Sequence, residues 1–307
     1  MQHSQITYVY LETTNYCNLE CSFCNRDKVV KNPIHMSLNN WDLVLDKLKD
    51  QPIKEAKLMG LGEPFMHPQF STICSKFKDY FPKAKVIVAT NAQYKLNKNF
   101  EDSLKHIDLL YISIDGYKES YEKFRPPAKW EKLIKFLEDL QSVERYNCSI
   151  TCNYVVNTQN VKDIEKINQL CKKYKLEELR LNLAQEWSEN KNLTSNASTW
   201  GYAKEDMELL KKNFKDNVKG KSPWTWSDCF WIENGLYMTV NGDLKICCLN
   251  TDTESIGNIF NNSLEDIFNS KKINDVRVGC KNNKPTSHCK NCSYKELSPL
   301  IGEIRNN

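Results

Sequence analysis

Apolar and polar residues alternate along the first 185 residues with two periods, one typical of strands and one typical of helices. Six short stretches rich in β-branched and aromatic residues predict strands. They are Thr7 to Glu12, Ala56 to Met59, Lys85 to Thr90, Leu109 to Ile114, Ser149 to Val155 and Glu178 to Leu183. Apolar residues spaced three and four apart predict five helices between them. These are Leu38 to Asp50 with Ser37 as N-cap, Gln69 to Tyr80, Lys98 to Lys105, Glu131 to Val143 and Val161 to Tyr174.

Strands that alternate with helices predict an α/β fold with a parallel sheet. Such a sheet can stay open and doubly wound or curl into a barrel, and periodicity does not separate the two. In both folds the active site lies at the C-terminal ends of the strands. A polar stretch with two tryptophans at residues 219–226 predicts a linker. We therefore expect a core domain over residues 1–214, with its motifs in 5–185, and a second domain over 215–307.

The chain has 13 cysteines, and its N-terminal sequence is not an export signal, so a secreted disulfide framework is not expected. Three cysteines lie within residues 17–24 and six follow residue 228, which favours metal or redox chemistry. The other four are predicted to be small buried hydrophobic residues: Cys74, Cys148, Cys152 and Cys171.

Charge and hydropathy exclude several classes of partner. The net charge of +4 comes from 43 basic and 39 acidic residues without a block of one sign, so neither nucleic acid nor a membrane surface is an expected partner. The sequence contains no run of about 18 apolar residues, so no membrane span is predicted. We expect a soluble cytoplasmic protein.

Polar, glycine-rich and thiol groups follow four successive predicted strands. Because the C-terminal ends of parallel strands share one edge of a sheet, these groups predict a single site. They are the loop Cys17-x3-Cys21-x2-Cys24, the turn Gly60-Leu61-Gly62-Glu63-Pro64, the pair Thr90-Asn91, and Ser113-Ile114-Asp115-Gly116 followed by Tyr121 and Arg125. From residue types alone, a zinc site completed by His35 or His67 remains an alternative, although zinc would not explain the glycines and polar strand ends.

These motifs, in this order, resemble those of the radical S-adenosylmethionine superfamily over residues 5 to about 185. The resemblance implies a partial (β/α)6 TIM-like barrel. It also implies a [4Fe–4S] cluster held by Cys17, Cys21 and Cys24, with one iron left open to S-adenosylmethionine. One-electron cleavage of that cofactor would give a 5′-deoxyadenosyl radical that removes hydrogen from a substrate. No catalytic acid, base or hydrogen donor is identified.

The resemblance also implies which residues contact S-adenosylmethionine. The backbone of Gly60, Gly62 and Glu63 would bind the methionine amino group, in a turn where Leu61 separates the two glycines. Ser113 and Arg125 would hold the methionine carboxylate. The remaining contacts would be Thr90, Asn91 and Asn153 near the ribose, and Phe23 beside the adenine.

The last third contains a predicted β-hairpin and six cysteines. The hairpin pairs Leu236 to Val240 with Leu244 to Ile246 through Asn241-Gly242-Asp243, and a short helix follows over residues 263–268. A cysteine, a Gly-x4-Cys element and a final Cys-x2-Cys make this region resemble the small SPASM or twitch domain appended to many radical enzymes.

That second resemblance implies one auxiliary [4Fe–4S] cluster that relays an electron. Its four ligands would be Cys229, Cys247, Cys289 and Cys292. Cys248 is an alternative to its neighbour, and Cys280 is a spare thiol. A structural zinc ribbon remains an alternative from residue types alone.

The substrate is predicted less directly. The first strand begins within ten residues of the N-terminus, where a leader-binding module of peptide-modifying relatives would stand. The tail resembles that of the aminoglycoside-pathway alcohol dehydrogenases. We therefore expect oxidation or rearrangement of a small sugar, cyclitol or nucleotide-linked compound, with flavodoxin or ferredoxin as electron donor. The alternatives are a peptide-modifying maturation enzyme and a non-catalytic iron–sulfur or zinc protein.

Overall fold

The computed structural model describes residues 5–157, 159–183, 229–248, 254–290 and 300–305. Within these ranges the six predicted strands of the core all form and pair in parallel with their neighbours. They are β1 (Tyr8–Leu11), β2 (Glu55–Lys57), β3 (Lys85–Thr90), β4 (Leu109–Ser113), β5 (Ser149–Val156) and β6 (Glu178–Leu183). Their order in the sheet follows the chain, without the reversal of a doubly wound sheet. The core is a partial TIM-like barrel, as the resemblance implied.

The five predicted helices are confirmed with ends within a few residues of the expected ones. They are α2 (Leu38–Leu48), α3 (Phe70–Tyr80), α4 (Lys98–Ser103), α6 (Trp130–Asp139) and α7 (Ile164–Lys173). Ser37 caps α2, as predicted, by accepting from Asn40 N at 3.2 Å. Two helices were not predicted because four and six residues are too few to show a period: α1 (Arg26–Val29) and α5 (Glu119–Phe124).

The two faces of the core strands differ. Leu11, Val88 and Ile112 belong to the apolar core that packs against the helices, and all three are fully buried. The intervening positions, such as Tyr10 and Asn153, alternate to the opposite face and are half-buried. The four cysteines predicted to be structural are confirmed as buried. The interior of the barrel is therefore the less tightly packed face, on which a site can form.

The C-terminal region continues the same sheet. The predicted hairpin is confirmed as β7 (Gly235–Met238) and β8 (Asp243–Lys245), with β9 (Gly257–Asn258) beside it. Strand β7 pairs in parallel with β1, and β10 (Leu300–Arg305) pairs antiparallel with β6. The region's helices are α8 (Phe230–Asn234), α9 (Leu264–Phe268), α10 (Lys271–Lys281) and α11 (Ser287–Lys290).

The expected domain boundary between residues 214 and 215 lies outside the described ranges and stays a prediction. In the part of the chain that the structure describes, no helix combines the length and apolarity needed to cross a membrane.

Candidate active site

The three-cysteine loop follows β1 and is anchored to the end of α5. Backbone N–H groups of Glu20 and Ser22 donate to the carbonyls of Pro126 and Phe124, at 2.6 and 3.0 Å. Within the loop, Cys24 N donates to Cys21 O at 2.9 Å. The loop therefore has a defined shape at the C-terminal end of the sheet, where the sequence predicted the site.

Each of the three cysteine sulfurs lies within hydrogen-bond distance of an N–H group. The pairs are Arg26 N with Cys24 Sγ at 3.4 Å, Asn91 Nδ2 with Cys17 Sγ at 3.8 Å, and Arg125 Nη1 with Cys21 Sγ at 3.9 Å. Burial raises the pKa of Cys17 to about 11 and that of Cys21 to about 12, so cluster binding must displace their protons. A donor at each sulfur suits thiolates that bind iron, and the loop fits the implied cluster.

The glycine turn after β2 is docked on this loop. A Cβ on Gly62 would lie 2.3 Å from Thr14 O and 2.7 Å from Tyr16 O, so this position has no space for a side chain. The next residue, Glu63, donates its backbone N–H to Tyr16 O at 2.7 Å. The turn and the cysteine loop therefore form one rigid unit.

The Glu63 carboxylate is buried and used inside the protein. It accepts from Thr90 Oγ1 at 2.8 Å and from Asn91 N at 2.7 Å, which joins the turn to the end of β3. Desolvation raises the pKa of Glu63 to about 7. Both oxygens of the Glu63 carboxylate therefore have donors within the protein, and the predicted contact of the Gly60, Gly62 and Glu63 backbone with the methionine amino group stays a prediction. The placement of Thr90 and Asn91 near a ribose stays a prediction.

Ser113 and Asn153 face each other in register at the ends of β4 and β5. Asn153 Oδ1 accepts from Asn182 Nδ2 of β6 at 2.6 Å. Asn182 was not among the predicted site residues, although it is a polar residue near the end of the sixth predicted strand and its position alone would have indicated it. Their contact with S-adenosylmethionine stays a prediction.

Arg125 is buried in an ion pair with Asp115. Its Nε donates to Asp115 Oδ2 at 2.7 Å, Nη2 contacts the same oxygen, and its Cζ lies 5.4 Å from the centre of the Phe23 ring. Asp115 Oδ1 accepts from Val155 N at 2.7 Å. Asp115 was predicted only as part of a motif, and its pairing with Arg125 was not predicted, because ten residues separate them along the chain. The predicted roles of Arg125 at the carboxylate and of Phe23 at the adenine stay predictions.

The two histidines of the zinc alternative have other partners. His35 Nδ1 lies 2.8 Å from Thr14 Oγ1. His67 Nε2 lies 2.8 Å from Met36 O, and its Nδ1 accepts from Gln69 N at 3.1 Å. Across the described ranges, no three Cys, His, Asp or Glu side chains converge as the ligands of a single ion would. The thiolates of a four-iron cluster each bind a different iron and need no such convergence.

The described C-terminal cysteines come together beside β7. Cys229 and Cys247 pack against the cluster of buried residues formed by Trp231, Tyr237 and Cys248. A hydrogen bond from the Cys289 thiol to Cys280 raises the pKa of Cys289 and lowers that of Cys280. Negative charge at Cys247 and Cys229 raises the pKa of Cys289 further, so the charges of the three predicted ligands interact.

The fourth predicted ligand, Cys292, lies outside the described residues. Cys280, expected to be a spare thiol, is placed directly beside a predicted ligand. The assignment of the second cluster's ligands stays a prediction.

A cavity of about 150 Å³ lies between the two cysteine groups. Its wall is mostly apolar and includes Phe23 and Cys24 from the loop, Leu61 from the turn, Tyr10 and Tyr237 from the strands, and Cys248. A group bound in this cavity would touch both the core loop and the C-terminal unit.

Glu12, which was not among the predicted site residues, connects these parts. One carboxylate oxygen accepts from Leu61 N at 2.6 Å and the other from Val240 N at 3.0 Å. The side chain also occupies the space that a Cβ on Gly60 would need, at 2.5 Å. The turn, β1 and the hairpin therefore share one buried carboxylate.

Glu12 is expected to give the protein a measurable pH dependence. Desolvation raises its folded pKa to about 7, above the unfolded value of about 4.3, so the folded state binds more protons between these values. The free energy of unfolding should therefore fall between pH 5 and pH 8 by about 2 to 3 kcal/mol more in the wild type than in Glu12→Gln. Urea unfolding at both pH values measures this difference. Any loss of cluster at low pH affects the wild type and Glu12→Gln alike, so it does not contribute to the difference between them. A Glu131→Gln variant, at an exposed carboxylate, should keep the wild-type slope. Equal slopes for wild type and Glu12→Gln would contradict the assignment.

Comparison with known families finds two matches along the chain. The Radical SAM superfamily profile matches residues 11–171, slightly more than half of the chain. The SPASM iron–sulfur cluster-binding domain profile matches residues 229–293. The first match contains the three-cysteine loop, and the second contains the hairpin and the C-terminal cysteines from Cys229 to Cys292.

Individual proteins are similar at low identity. The antilisterial bacteriocin subtilosin biosynthesis protein AlbA of Bacillus subtilis is 25% identical over 282 residues, which cover 86% of this chain and 60% of AlbA. The chain spans at most three fifths of the length of the first curated relatives it matches.

Two solved structures show the same fold. Streptococcus suis SuiB bound to the precursor peptide SuiA superposes with a TM-score of 0.70 at 16% identity, over 92% of this chain and 71% of SuiB. BtrN in complex with AdoMet and 2-DOIA superposes with a TM-score of 0.56 at 14% identity, over 94% of this chain and 92% of BtrN.

Proposed function

The chain belongs to the radical S-adenosylmethionine superfamily and carries a SPASM domain, and from that premise we propose that it modifies a peptide by radical chemistry. The family brings a [4Fe–4S] cluster, S-adenosylmethionine and an auxiliary [4Fe–4S] cluster as cofactors. When these are bound and reduced, they supply a 5′-deoxyadenosyl radical that can remove hydrogen from a C–H bond. The protein must then hold the target bond in place and exclude water.

The observation that carries the peptide proposal is the apolar cavity between Cys24 and Cys248. Its volume of about 150 Å³ equals that of an engineered protein cavity that binds benzene. Phe23, Cys24 and Gly60 belong to the predicted cofactor site, so bound cofactors would occupy that side of the space. An apolar or aromatic side chain of a peptide would fill the side lined by Tyr10, Tyr237 and Cys248. A sugar or cyclitol would find few polar groups on this wall, chiefly those of Asn25, Tyr10 and Tyr237, and each hydroxyl group buried without a partner would cost about 1 to 3 kcal/mol. The cavity therefore favours a peptide over the small molecule expected from the sequence.

The comparisons support the same substrate class. AlbA is a bacteriocin biosynthesis protein and is similar along most of this chain. SuiB, which shares the fold, has been solved with its precursor peptide. The position of the cavity beside both cysteine groups also favours a reaction in which an electron passes from the substrate radical to the second cluster. A one-electron donor such as flavodoxin or ferredoxin would reduce the first.

The test uses the reconstituted protein with reductant, S-adenosylmethionine and short peptides encoded beside its gene. We expect mass spectrometry to show a peptide that has lost two hydrogen atoms through a crosslink, and 5′-deoxyadenosine in equal amount. Replacing the modified apolar residue of the peptide by aspartate should lower kcat/KM more than about tenfold, because a charge would enter the apolar cavity. The Cys17/Cys21/Cys24→Ala variant is the control without turnover.

A second candidate is oxidation of a small molecule. BtrN, which was solved in complex with 2-DOIA, favours this candidate because the superposition covers 92% of BtrN and 94% of this chain, so the two chains are similar in length. Turnover of a sugar or cyclitol without any peptide product would move this candidate to first place and contradict the peptide proposal.

A further inference from the structure

We propose that Arg125 and Asn91 tune the reduction potential of the core iron–sulfur cluster through N–H groups directed at two of its cysteine ligands. Arg125 Nη1 lies 3.9 Å from Cys21 Sγ, and Asn91 Nδ2 lies 3.8 Å from Cys17 Sγ. The third sulfur has a backbone donor, Arg26 N, which substitution of a side chain does not remove. The inference concerns the core cluster and does not depend on the substrate.

The Arg125 guanidinium is held in a fixed orientation. Nε and Nη2 are used on Asp115 Oδ2, which leaves Nη1 for Cys21, and the Phe23 ring covers the cation on another side. Asp115 is itself held by the N–H of Val155. The Arg125 side chain is 8% exposed and that of Asp115 is 1% exposed, so water screens the cation only weakly from the sulfur.

The Asn91 carboxamide is fixed in a similar way. Its Oδ1 accepts from Gln93 N at 2.9 Å, and its Nδ2 donates to Asn18 Oδ1 at 2.8 Å. Because the oxygen already has a donor, the NH2 group is the end that faces Cys17. Rotating the amide would break both contacts.

Reduction adds negative charge to a cluster and to its sulfur ligands. A positive charge and N–H donors at the sulfurs stabilise the reduced form more than the oxidised form, which raises the reduction potential. Arg125 acts more strongly than its partner Asp115, because the guanidinium lies between the carboxylate and Cys21. Removing these donors should therefore make the core cluster harder to reduce.

This role differs from the one implied by the resemblance, in which Arg125 and Asn91 contact S-adenosylmethionine. The two roles are separable, because a potential measured without S-adenosylmethionine reports only on the cluster. Loss of affinity for S-adenosylmethionine, measured in parallel, reports on the other role.

The test is an anaerobic redox titration of the reconstituted full chain without S-adenosylmethionine, followed by electron paramagnetic resonance. The core cluster is identified as the signal that is missing from the Cys17/Cys21/Cys24→Ala variant. We expect Arg125→Gln and Asn91→Asp to shift its midpoint to more negative potential. Arg125→Lys keeps the charge, so its midpoint should lie close to that of the wild type. Arg145→Gln is the matched control. It removes the same charge from a guanidinium that binds the carbonyl of Lys175, away from the loop, and should titrate like the wild type.

Arg125→Gln leaves the buried Asp115 without its cation and can cost the variant its cluster. The double variant Asp115→Asn/Arg125→Gln leaves no unpaired charge, and it should shift in the same direction as Asn91→Asp. Iron content and the visible absorption band confirm that each variant holds the cluster. Wild-type midpoints in both Asn91→Asp and the double variant, with or without lost affinity for S-adenosylmethionine, would overturn the proposal.

Discussion

Replacing Cys17, Cys21 and Cys24 together by alanine should abolish 5′-deoxyadenosine formation and lower the iron content from about eight to about four atoms per chain. The three sulfurs are the predicted ligands of the core cluster, and each has an N–H donor in place. Without them no iron is held beside the glycine turn. The remaining iron is expected on the cysteines beside β7. The measurement is anaerobic reconstitution with iron and sulfide, then dithionite and S-adenosylmethionine, with iron and product determined together.

A Cys171→Ala variant is the matched control, since it also removes a thiol but from the buried face of α7. It should retain all of the iron and the cleavage activity. Zinc in place of iron in the wild type, or no cleavage under any reductant, would contradict this prediction and favour a non-catalytic binding protein.

Strong periodicity made the core predictable. Strands such as Lys85–Thr90 are short apolar runs between amphipathic helices, and the structure has the strand where the pattern predicted it. The order of the sheet was not predictable in this way. Parallel pairing of β1 with β7 joins segments more than 220 residues apart, and pairing depends on packing rather than on local pattern.

The sequence predicted the site residues that directly follow a strand. It did not predict the residues whose role is to hold another part of the site in place. The cysteine loop and the glycine turn come together as expected, because both follow neighbouring parallel strands. The buried roles of Glu12 and Asp115 were missed, since a carboxylate at the end of a strand does not show in the sequence which donors it will accept.

The expectation of a small-molecule substrate rested on the position of the first strand and on the tail. Neither feature describes the space next to the cysteines. That space depends on side chains from β1, β7 and two loops, brought together by tertiary contacts, and its apolar wall changes the proposed substrate class.

The second large effect is expected at the contact between the turn and the loop. Gly62→Ala places a methyl group 2.3 Å from Thr14 O and 2.7 Å from Tyr16 O. Both neighbours are backbone atoms just before Cys17, so the clash is relieved only by moving the turn away from the loop. Overpacking of this kind costs about 1 to 3 kcal/mol of stability. A displacement of about 1 Å at a reacting centre can lower a rate about 100-fold.

We therefore expect Gly62→Ala to reduce 5′-deoxyadenosine formation about 100-fold while the iron beside β7 is retained. Gly257→Ala is the matched control: its added methyl meets the Ile267 side chain at 2.6 Å, which can shift, and β9 lies away from the loop. Its rate should stay within about twofold of the wild type, since repacking one flexible side chain costs stability rather than alignment. Rates of 5′-deoxyadenosine formation and thermal unfolding of both variants measure the two effects separately. If Gly62→Ala cleaves S-adenosylmethionine as fast as Gly257→Ala, the docking of the turn on the cysteine loop is not what aligns the cofactor.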